Sequence, residues 1–234
     1  MNNSFVAIIP AAGKSLRFSS EIQKPFIKIE ERMIVELSLV PILDFSECVG
    51  VCVVIPQDDQ HTESLIPDGL KVFTTKGGNS RTESVENGLK FWRDFDISFN
   101  YILIHDAARP CLRSSDVQIL IDSLDDKIDG AILGSPCSDT IKEVCKEELK
   151  ILTTLDRTKL WTAFTPQIFK KESLYRAFSS KSNNLEATDE ASLVEESGGI
   201  LKIVKGHKDN IKVTFPEDLA LVKSILLSQG RLEG

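Results

Sequence analysis

The sequence predicts an α/β fold in which a mostly parallel sheet is flanked by helices. Short apolar runs alternate along the chain with segments of helical period, and the runs are rich in β-branched residues. No repeat, low-complexity tract or Pro/Ser/Gly-rich linker divides the 234 residues, so we expect one domain over 1–234. The predicted strands are 5–9, 49–55, 101–105, 131–133 and 200–204.

The composition argues against several classes of protein. The hydrophobic fraction of 41% and the charged fraction of 27% are ordinary for a globular chain. A net charge of -7 argues against general binding of nucleic acid or of membrane surfaces, which favour an excess of Lys and Arg. No apolar run approaches the ~18 residues of a membrane span, and residues 1–4 lack the positive charge of a secretory signal. An anion site therefore needs a local concentration of cations.

The cysteines and histidines point away from a disulfide framework and from a metal centre. The five cysteines are odd in number and lack paired CxxC spacing, which fits reduced thiols in the cytoplasm. The chain has only three histidines, so a histidine-rich metal site is not expected.

The first predicted strand opens onto a loop suited to phosphate. Small side chains there allow a ligand to approach backbone N–H groups closely. The spacing matches neither a Walker loop nor a dinucleotide fingerprint, and a plain strand-to-helix turn with solvated cations is the alternative. The loop residues are Pro10, Ala11, Ala12 and Gly13, followed by Lys14, Ser15, Arg17 and Lys24.

A helix is predicted to begin near Ser80. Ser80 and Glu83 have the spacing of a capping box, and these two residues need no role beyond the helix cap. The N-terminus of a helix presents free N–H groups, and Gly78 leaves them accessible from the preceding turn. Arg81 and Ser84, polar in the first turn, are the better candidates for ligand contact.

Asp106 follows the predicted strand 101–105, where ligands of parallel sheets bind. A carboxylate at that point can hold a hydrated Mg²⁺ ion or a ribose hydroxyl, and the small Ala107 clears space beside it. The alternatives are that Asp106 pairs with Arg109 or caps a turn. His105 is expected to be structural.

Residues 139–144 and 150–155 are prone to form strands and are joined by a charged turn, which predicts a hairpin. A two-stranded ribbon is marginal unless it packs against something. We therefore expect an arm at about 137–158 that projects and is covered by a second copy, making a homodimer. The apolar Leu160, Trp161 and Phe164 are expected to anchor the return to the core.

Two short helices are predicted near the C-terminus. Thr188 is the expected N-cap of the first helix, which ends at Gly198 and Gly199. The second begins at 216–219, where Pro and acids occur together. Between them Lys212 alternates with apolar neighbours, so a solvated lysine is its default interpretation.

Taken together, these segments resemble the 2-C-methyl-D-erythritol 4-phosphate cytidylyltransferase family of the non-mevalonate isoprenoid pathway. The resemblance implies a Rossmann-like domain with a protruding dimerisation arm, and transfer of a cytidylyl group from CTP to the sugar-alcohol phosphate with Mg²⁺. A cytidylyltransferase for another polyol phosphate, such as ribitol 5-phosphate, and a silent nucleotide-binding protein of the same fold are the alternatives. The matching segments are 11–13 with Arg17 and Lys24, 77–89, 105–110, 155–167, 188–193 and 210–221.

The resemblance also implies roles for individual residues. The implied catalytic residues are Arg17, Lys24, Arg157 and Lys212. The implied nucleotide-binding residues are Pro10, Ala11, Ala12, Gly13, Lys14, Ser15, Gly78, Arg81, Ser84, Asp106 and Ala107. The implied substrate-binding residues are Asp106, Arg109, Thr140, Arg157, Thr165, Thr188 and Lys212. Asp106 is the implied protein contact of a Mg²⁺ ion held mainly by the CTP phosphates.

Two positions depart from the family pattern. Ser15 stands where the family usually has a second loop glycine, and Pro25 follows Lys24 where the family usually has Gln. Pro25 restricts Lys24 toward extended backbone geometry. Both departures concern the binding of the triphosphate.

Overall fold

A computed structural model describes residues 3–13, 23–58, 71–181 and 189–233. The strands, in chain order, are β1 (Phe5–Pro10), β2 (Lys28–Ile29), β3 (Arg32–Met33), β4 (Cys48–Ile55), β5 (Val72–Lys76), β6 (Tyr101–Ile104), β7 (Gly130–Pro136), β8 (Lys142–Val144), β9 (Ile151–Thr154), β10 (Trp161–Lys170) and β11 (Leu201–Lys205). The helices are α1 (Ile34–Leu43), α2 (Arg81–Asp94), α3 (Ser114–Asp122), α4 (Lys171–Ser180), α5 (Glu190–Glu196) and α6 (Asp218–Ser228).

Seven of the strands form one sheet in the order β11-β7-β10-β6-β1-β4-β5. β10 runs antiparallel to both of its neighbours, and the other adjacent pairs are parallel. The predicted mostly parallel sheet is therefore confirmed. Because six strands point the same way, their carboxyl ends meet at a single edge.

The inner strand β1 is buried on both faces, which explains its continuous apolar run. Phe5, Ala7 and Ile9 pack into a core that also contains side chains of α1 and α3. Val6 and Ile8 pack into the opposite core, with side chains of α2, α4 and α5. The sheet therefore lies between two layers of helices. Among the helices of the described ranges, none is long and apolar enough to cross a membrane.

The antiparallel strand β10 is not among the predicted strands. Pro166 lies inside it, and proline is normally kept out of central strands because it cannot donate a ladder hydrogen bond. The pairing of β10 with β7 shifts register between Phe164 and Gln167, so Pro166 falls in an irregularity. Phe164 packs against the core as expected. Trp161 does not, since it is 38% exposed at the start of the strand.

The predicted hairpin is present as the two-stranded sheet of β8 and β9. Every residue of these two strands is exposed within the chain. The hairpin therefore carries a set of exposed apolar side chains: Val144, Leu149, Ile151, Leu152 and Leu155.

Helix α2 begins as predicted and packs closely on the sheet. The Ser80 hydroxyl accepts a hydrogen bond from the Glu83 N–H at 3.1 Å, and the Glu83 carboxylate accepts one from the Asn79 N–H at 2.6 Å. A Cβ atom at Gly88 would lie 2.6 Å from Cγ2 of Ile8. Gly88 therefore permits the close contact between α2 and β1.

The N-cap of helix α5 lies one residue later than predicted. The Asp189 carboxylate accepts the Ser192 N–H at 3.0 Å and is the N-cap. Thr188, the expected cap, lies outside the described residues. Gly198, with a φ of +81°, follows α5 as predicted, and α6 begins at Asp218.

We expect Gly88→Ala to destabilise the protein. At a helix position without contacts this change would add about 1 kcal/mol of helix preference. Here the new methyl collides with a β-branched side chain in a filled core, so we expect a net loss of about 2 kcal/mol in the free energy of unfolding. Urea titration measures this free energy of unfolding.

Lys90→Ala, on an exposed position of the same helix, serves as the control and should change stability by less than about 0.5 kcal/mol. A Gly88→Ala protein more stable than the parent would contradict the close contact.

Candidate active site

Loops from four strands meet at the carboxyl edge of the sheet. They are 11–13 after β1, 77–80 after β5, 105–110 after β6 and 206–217 after β11. Parallel sheets bind ligands at this edge. The predicted placement of Asp106 just beyond a strand is therefore observed.

Asp106 is the centre of a cluster of charged side chains. Its carboxylate oxygen Oδ1 lies 3.0 Å from Nε of Arg81. Its other oxygen, Oδ2, lies 2.8 Å from Nζ of Lys212 and 3.5 Å from Nε of Arg109. The expected alternative that Asp106 pairs with Arg109 is thus correct, but Arg109 is only one of three cations around it.

The cations determine the charge state of Asp106. Burial alone raises the pKa of a carboxyl group, but Arg81, Lys212 and Arg109 outweigh it and hold the pKa of Asp106 well below its usual range. Asp106 is therefore ionised at neutral pH. The Asp106 side chain is 10% exposed, so water screens its interactions with the three cations only weakly.

A chain of hydrogen bonds behind Asp106 fixes its backbone. The Asp106 N–H donates to the Thr165 hydroxyl at 2.9 Å, and that hydroxyl lies 3.1 Å from Nδ1 of His105. Nε2 of His105 lies 3.2 Å from the Arg109 carbonyl, which can only accept. We therefore assign the proton to Nε2, and the Thr165 hydroxyl donates to Nδ1.

His105 is neutral in this chain, as the assignment requires. Burial lowers the pKa of His105 to about 4, despite the nearby Asp106 carboxylate. The expectation that His105 is structural agrees with this arrangement. The Thr165 hydroxyl accepts one hydrogen bond and donates another, and the residue is buried.

The loop 206–217 is tied to the site by its backbone and by Asn210. Nδ2 of Asn210 donates to the Thr165 carbonyl at 2.9 Å, and Nη1 of Arg109 donates to the Asn210 carbonyl at 2.9 Å. The Val213 N–H donates to the Ala108 carbonyl at 2.8 Å. These contacts lie on both sides of Lys212 in the sequence. Lys212 is exposed, as its default interpretation expects, but its ammonium group also pairs with Asp106.

Helix α5 brings a second buried carboxylate to the cluster. Glu190 Oε1 accepts from Nη1 of Arg81 at 2.5 Å, and Glu190 is 1% exposed. Gln167 fixes the helix start, since its side chain donates to Asp189 at 2.9 Å and accepts the Ala191 N–H at 3.3 Å. Sequence reasoning missed Glu190, because an acid in the first turn of a helix is already explained by the helix dipole.

The first-strand loop is small and partly open. A Cβ atom at Gly77 would lie 2.3 Å from Cβ of Ala12, so the two loops touch through residues without bulk. Among the described residues, no atom lies within 4 Å of the corresponding position at Gly13. The Ala11 N–H is used by the Val54 carbonyl at 2.9 Å. Lys14, Ser15 and Arg17 lie outside the described residues.

At the start of α2, the Ser84 side chain pairs with backbone groups of the preceding turn. The Ser84 hydroxyl accepts the Gly78 N–H at 3.2 Å and donates to the Ser80 carbonyl at 2.9 Å. Ser84 therefore orders the glycine turn beside the first-strand loop.

Lys24 opens a short 3-10 turn over Lys24–Phe26, with Pro25 at its second position. Its charge helps to lower the pKa of Asp218, after the larger effects of the Phe215 and Thr214 N–H groups that this carboxylate accepts. The first residues of α6 and Lys24 are therefore close enough to interact electrostatically.

The two predicted site residues of the arm lie apart from Asp106 within the chain. Arg157 donates to the Ser138 carbonyl at 2.5 Å, and both Arg157 and Thr140 are exposed. The structure thus brings together five of the predicted site residues, namely Arg81, Asp106, Arg109, Thr165 and Lys212. Arg157 and Thr140 belong to the base of the arm.

The described part of the chain offers few ligands for a metal ion by itself. Within the described residues, no group of three or more His, Cys, Asp or Glu side chains is placed to hold one. Mg²⁺ is commonly bound through one or two carboxylates, substrate phosphates and water. Asp106 fits the single carboxylate of such a site, although both of its oxygens already face cations.

We expect the buried neutral His105 to reduce stability in acid. A group whose folded pKa lies below its unfolded value near 6.5 costs stability as the pH falls from 6.5 toward the folded pKa, here about 4. Between pH 7 and pH 5 this loss amounts to about 2 kcal/mol. His105→Gln should remove that loss, as measured by urea unfolding at the two pH values.

Comparing the parent with His105→Gln at each pH cancels the titration of the other groups. An identical pH dependence in the two proteins would contradict a neutral buried His105.

Comparison with known proteins identifies the chain. The family model for IspD, 2-C-methyl-D-erythritol 4-phosphate cytidylyltransferase, matches residues 5–228. Proteins of that name from Aliivibrio fischeri (strain MJ11) and Acinetobacter baylyi are 37% and 39% identical over 225 residues, which cover 95% of this chain and 94% and 93% of theirs. The crystal structure of the Francisella tularensis protein of that name superposes with a TM-score of 0.77 at 31% identity, covering 95% of this chain and all of the other. The chain therefore belongs to the 2-C-methyl-D-erythritol 4-phosphate cytidylyltransferase family.

Proposed function

We propose that this protein transfers the cytidylyl group of CTP to 2-C-methyl-D-erythritol 4-phosphate, for the synthesis of isoprenoid precursors. An oxygen of the acceptor phosphate attacks the α-phosphorus of CTP, and the bond to the β-phosphate breaks. The products are the CDP-alcohol and pyrophosphate. The observation that supports this most directly is the convergence of Arg81, Arg109 and Lys212 on Asp106 at the ligand edge of the sheet, in a member of this family.

Phosphoryl chemistry of this kind depends on positioning and on stabilisation of charge. Lys24 neutralises the charge that grows on the α-phosphate in the transition state. Arg17 steadies the phosphates that leave as pyrophosphate. A preorganised donor of this type contributes about 3–4 kcal/mol to lowering the barrier.

The nucleotide lies across the loops after β1, β5 and β6. No other described residue fills the space at Gly13, and Ser84 orders the glycine turn beside the loop after β1. Asp106 lies beside the ribose. Its backbone N–H is held by the Thr165 hydroxyl, and its carboxylate is held by Arg81. The residues assigned to CTP are Pro10, Ala11, Ala12, Gly13, Lys14, Ser15, Gly78, Arg81, Ser84, Asp106 and Ala107.

The acceptor phosphate is held from the opposite side of Asp106. The Lys212 side chain is 42% exposed, so its ammonium group can turn from Asp106 to a phosphate oxygen. Arg109 is held beneath it over the Phe164 ring, 5.7 Å from the ring centre. Thr188 joins them from the segment before α5. Since the Thr165 hydroxyl is already engaged, Thr165 acts by fixing Asp106 and the Asn210 side chain.

Mg²⁺ neutralises phosphate charge when it is bound with CTP. Asp106 would hold this ion, and the nucleotide phosphates and water would supply its other oxygen ligands. Arg81 and Arg109 keep Asp106 ionised for this contact.

We assign the arm at about 137–158 to dimerisation, with the whole chain 1–234 acting as one catalytic domain. The exposed apolar side chains of the arm, together with Trp161, need a cover that the described part of the chain does not supply. A second copy provides it and places Arg157 and Thr140 beside the partner's acceptor phosphate. The five free cysteines, all within the described residues, favour a reducing compartment, the cytoplasm.

We expect the purified protein to release pyrophosphate from CTP with 2-C-methyl-D-erythritol 4-phosphate. Turnover should fall at least about 100-fold in Lys24→Ala, because a charge on the reacting phosphate then lacks its counterion. A coupled pyrophosphate assay with a panel of nucleotides and polyol phosphates measures both.

Lys223→Ala, an exposed lysine of α6 paired with Glu30, is the control and should retain full turnover. Preference for ribitol 5-phosphate would instead identify the sister activity, and undiminished turnover in Lys24→Ala would remove its assigned role.

We expect subunits with different defects to complement one another. Arg157→Ala and Lys24→Ala proteins should each be nearly inactive, yet an equal mixture of the two should recover up to about a quarter of parental activity, because about half of the dimers are mixed and one of the two sites in each is intact. Mixing after partial denaturation and refolding, with subunit exchange followed by tags of different mass, measures this. Heterodimers that form without recovered activity would place Arg157 in its own subunit's site.

A further inference from the structure

Glu190 has an environment that helix formation alone does not explain. It is 1% exposed, and its Oε2 atom is buried with no hydrogen-bond partner among the described residues. An ionisable group in such a place is costly, and an apolar side chain of similar size is often neutral or stabilising. A first-turn acid that served only the helix dipole would act equally well from an exposed position.

The partner of Glu190 is the same arginine that contacts Asp106. Nη1 of Arg81 lies 2.5 Å from Glu190 Oε1, and Nε of Arg81 lies 3.0 Å from Asp106 Oδ1. The guanidinium is a planar fork that favours bidentate contact with one carboxylate. Here it is divided between two carboxylates and contacts each through a single nitrogen.

The position of Glu190 is set by the sheet. Gln167 of β10 binds both the Asp189 carboxylate and the Ala191 N–H, so it fixes the backbone on either side of Glu190. Glu190 is therefore held at a fixed distance from β6, the strand that ends before Asp106. A contact this constrained can orient Arg81.

We propose that Glu190 is a positioning residue for the nucleotide, which holds Arg81 so that its Nε alone meets Asp106 and the Asp106 carboxylate is fixed toward the ribose. This inference deepens the proposed function and rests on its assignment of CTP to this side of Asp106. Without Glu190, Arg81 is free to rotate and to contact Asp106 through two nitrogens, in competition with the ribose. Glu190 then acts on CTP through Arg81 and leaves the acceptor phosphate unaffected.

The test is a double-mutant cycle on the full-length enzyme with CTP, Mg²⁺ and 2-C-methyl-D-erythritol 4-phosphate. Glu190→Gln keeps the shape and removes the charge, so KM for CTP should rise about tenfold, while KM for the acceptor stays within about twofold. In the Arg81→Ala background, Glu190→Gln should change KM for CTP by less than about twofold. Calorimetric titration of each protein with CTP provides a binding measurement independent of turnover.

Glu195→Gln, an exposed position of the same helix, is the matched control and should leave every constant unchanged. Thermal melting ensures that each variant is assayed in its folded state. If Glu190→Gln does not fold, Glu190→Asp replaces it in the cycle, since its shorter side chain withdraws from Arg81 while the charge remains.

Three results would overturn the inference: an unchanged KM for CTP in the folded Glu190 variant, equal losses for CTP and acceptor, or an effect of the same size with and without Arg81. Turnover of the parent protein reports on the proposed function separately. The role of Glu190 is read from ratios between variants, and the calorimetric ratios remain defined even if the acceptor is another polyol phosphate.

Discussion

The ionised carboxylate of Asp106 is the constraint on which the arrangement of the site depends. It is nearly buried, and a buried charge is tolerated only where opposite charges and hydrogen bonds replace water. The compensating cations come from three separate segments: Arg81 from α2, Arg109 from the loop after β6, and Lys212 from the loop after β11. One short side chain therefore joins distant parts of the chain at the ligand edge of the sheet. Removing it would leave three cations facing one another.

The side chains that hold the backbone of Asp106 in place are uncharged. His105 is buried uncharged, and its ring completes a relay from the Arg109 carbonyl through Thr165 to the Asp106 N–H. Asn210 ties the same Thr165 backbone to the loop that carries Lys212. Neutral groups hold the geometry while charged groups surround the Asp106 carboxylate, so charge is concentrated at the carboxyl edge of the sheet. This division suits a reaction that depends on positioning and electrostatics.

The arm differs from the buried cluster around Asp106, because its strands are exposed. Within one chain, Arg157 binds the Ser138 carbonyl of the arm. Its exposed apolar side chains and the proposed roles of Arg157 and Thr140 have a common explanation in a second copy. Packing of two arms would cover the apolar surface and bring cations to the partner's acceptor phosphate. Assembly and catalysis would then depend on the same contact.

Much of this protein is determined by local sequence pattern. The buried strand β1, the cap of α2 at Ser80, the hairpin of β8 and β9 and the position of Asp106 beyond β6 all follow from periodicity, capping and turn chemistry, which act over a few residues. The family resemblance extends the prediction to the candidate site residues. The antiparallel strand β10 was not predicted, because a proline argues against a central strand. Pro166 is accommodated there only because it falls in an irregularity of the pairing with β7.

Only the tertiary structure decided which charges meet. Arg81, Asp106, Glu190 and Lys212 are brought together from positions up to 106 residues from Asp106, and nothing in their local patterns distinguishes a solvated lysine from one aimed at a buried carboxylate. The physical reason is that burial and pairing are properties of the assembled sheet edge. A sequence indicates which side chains carry charge, whereas the fold determines which of them lose water together.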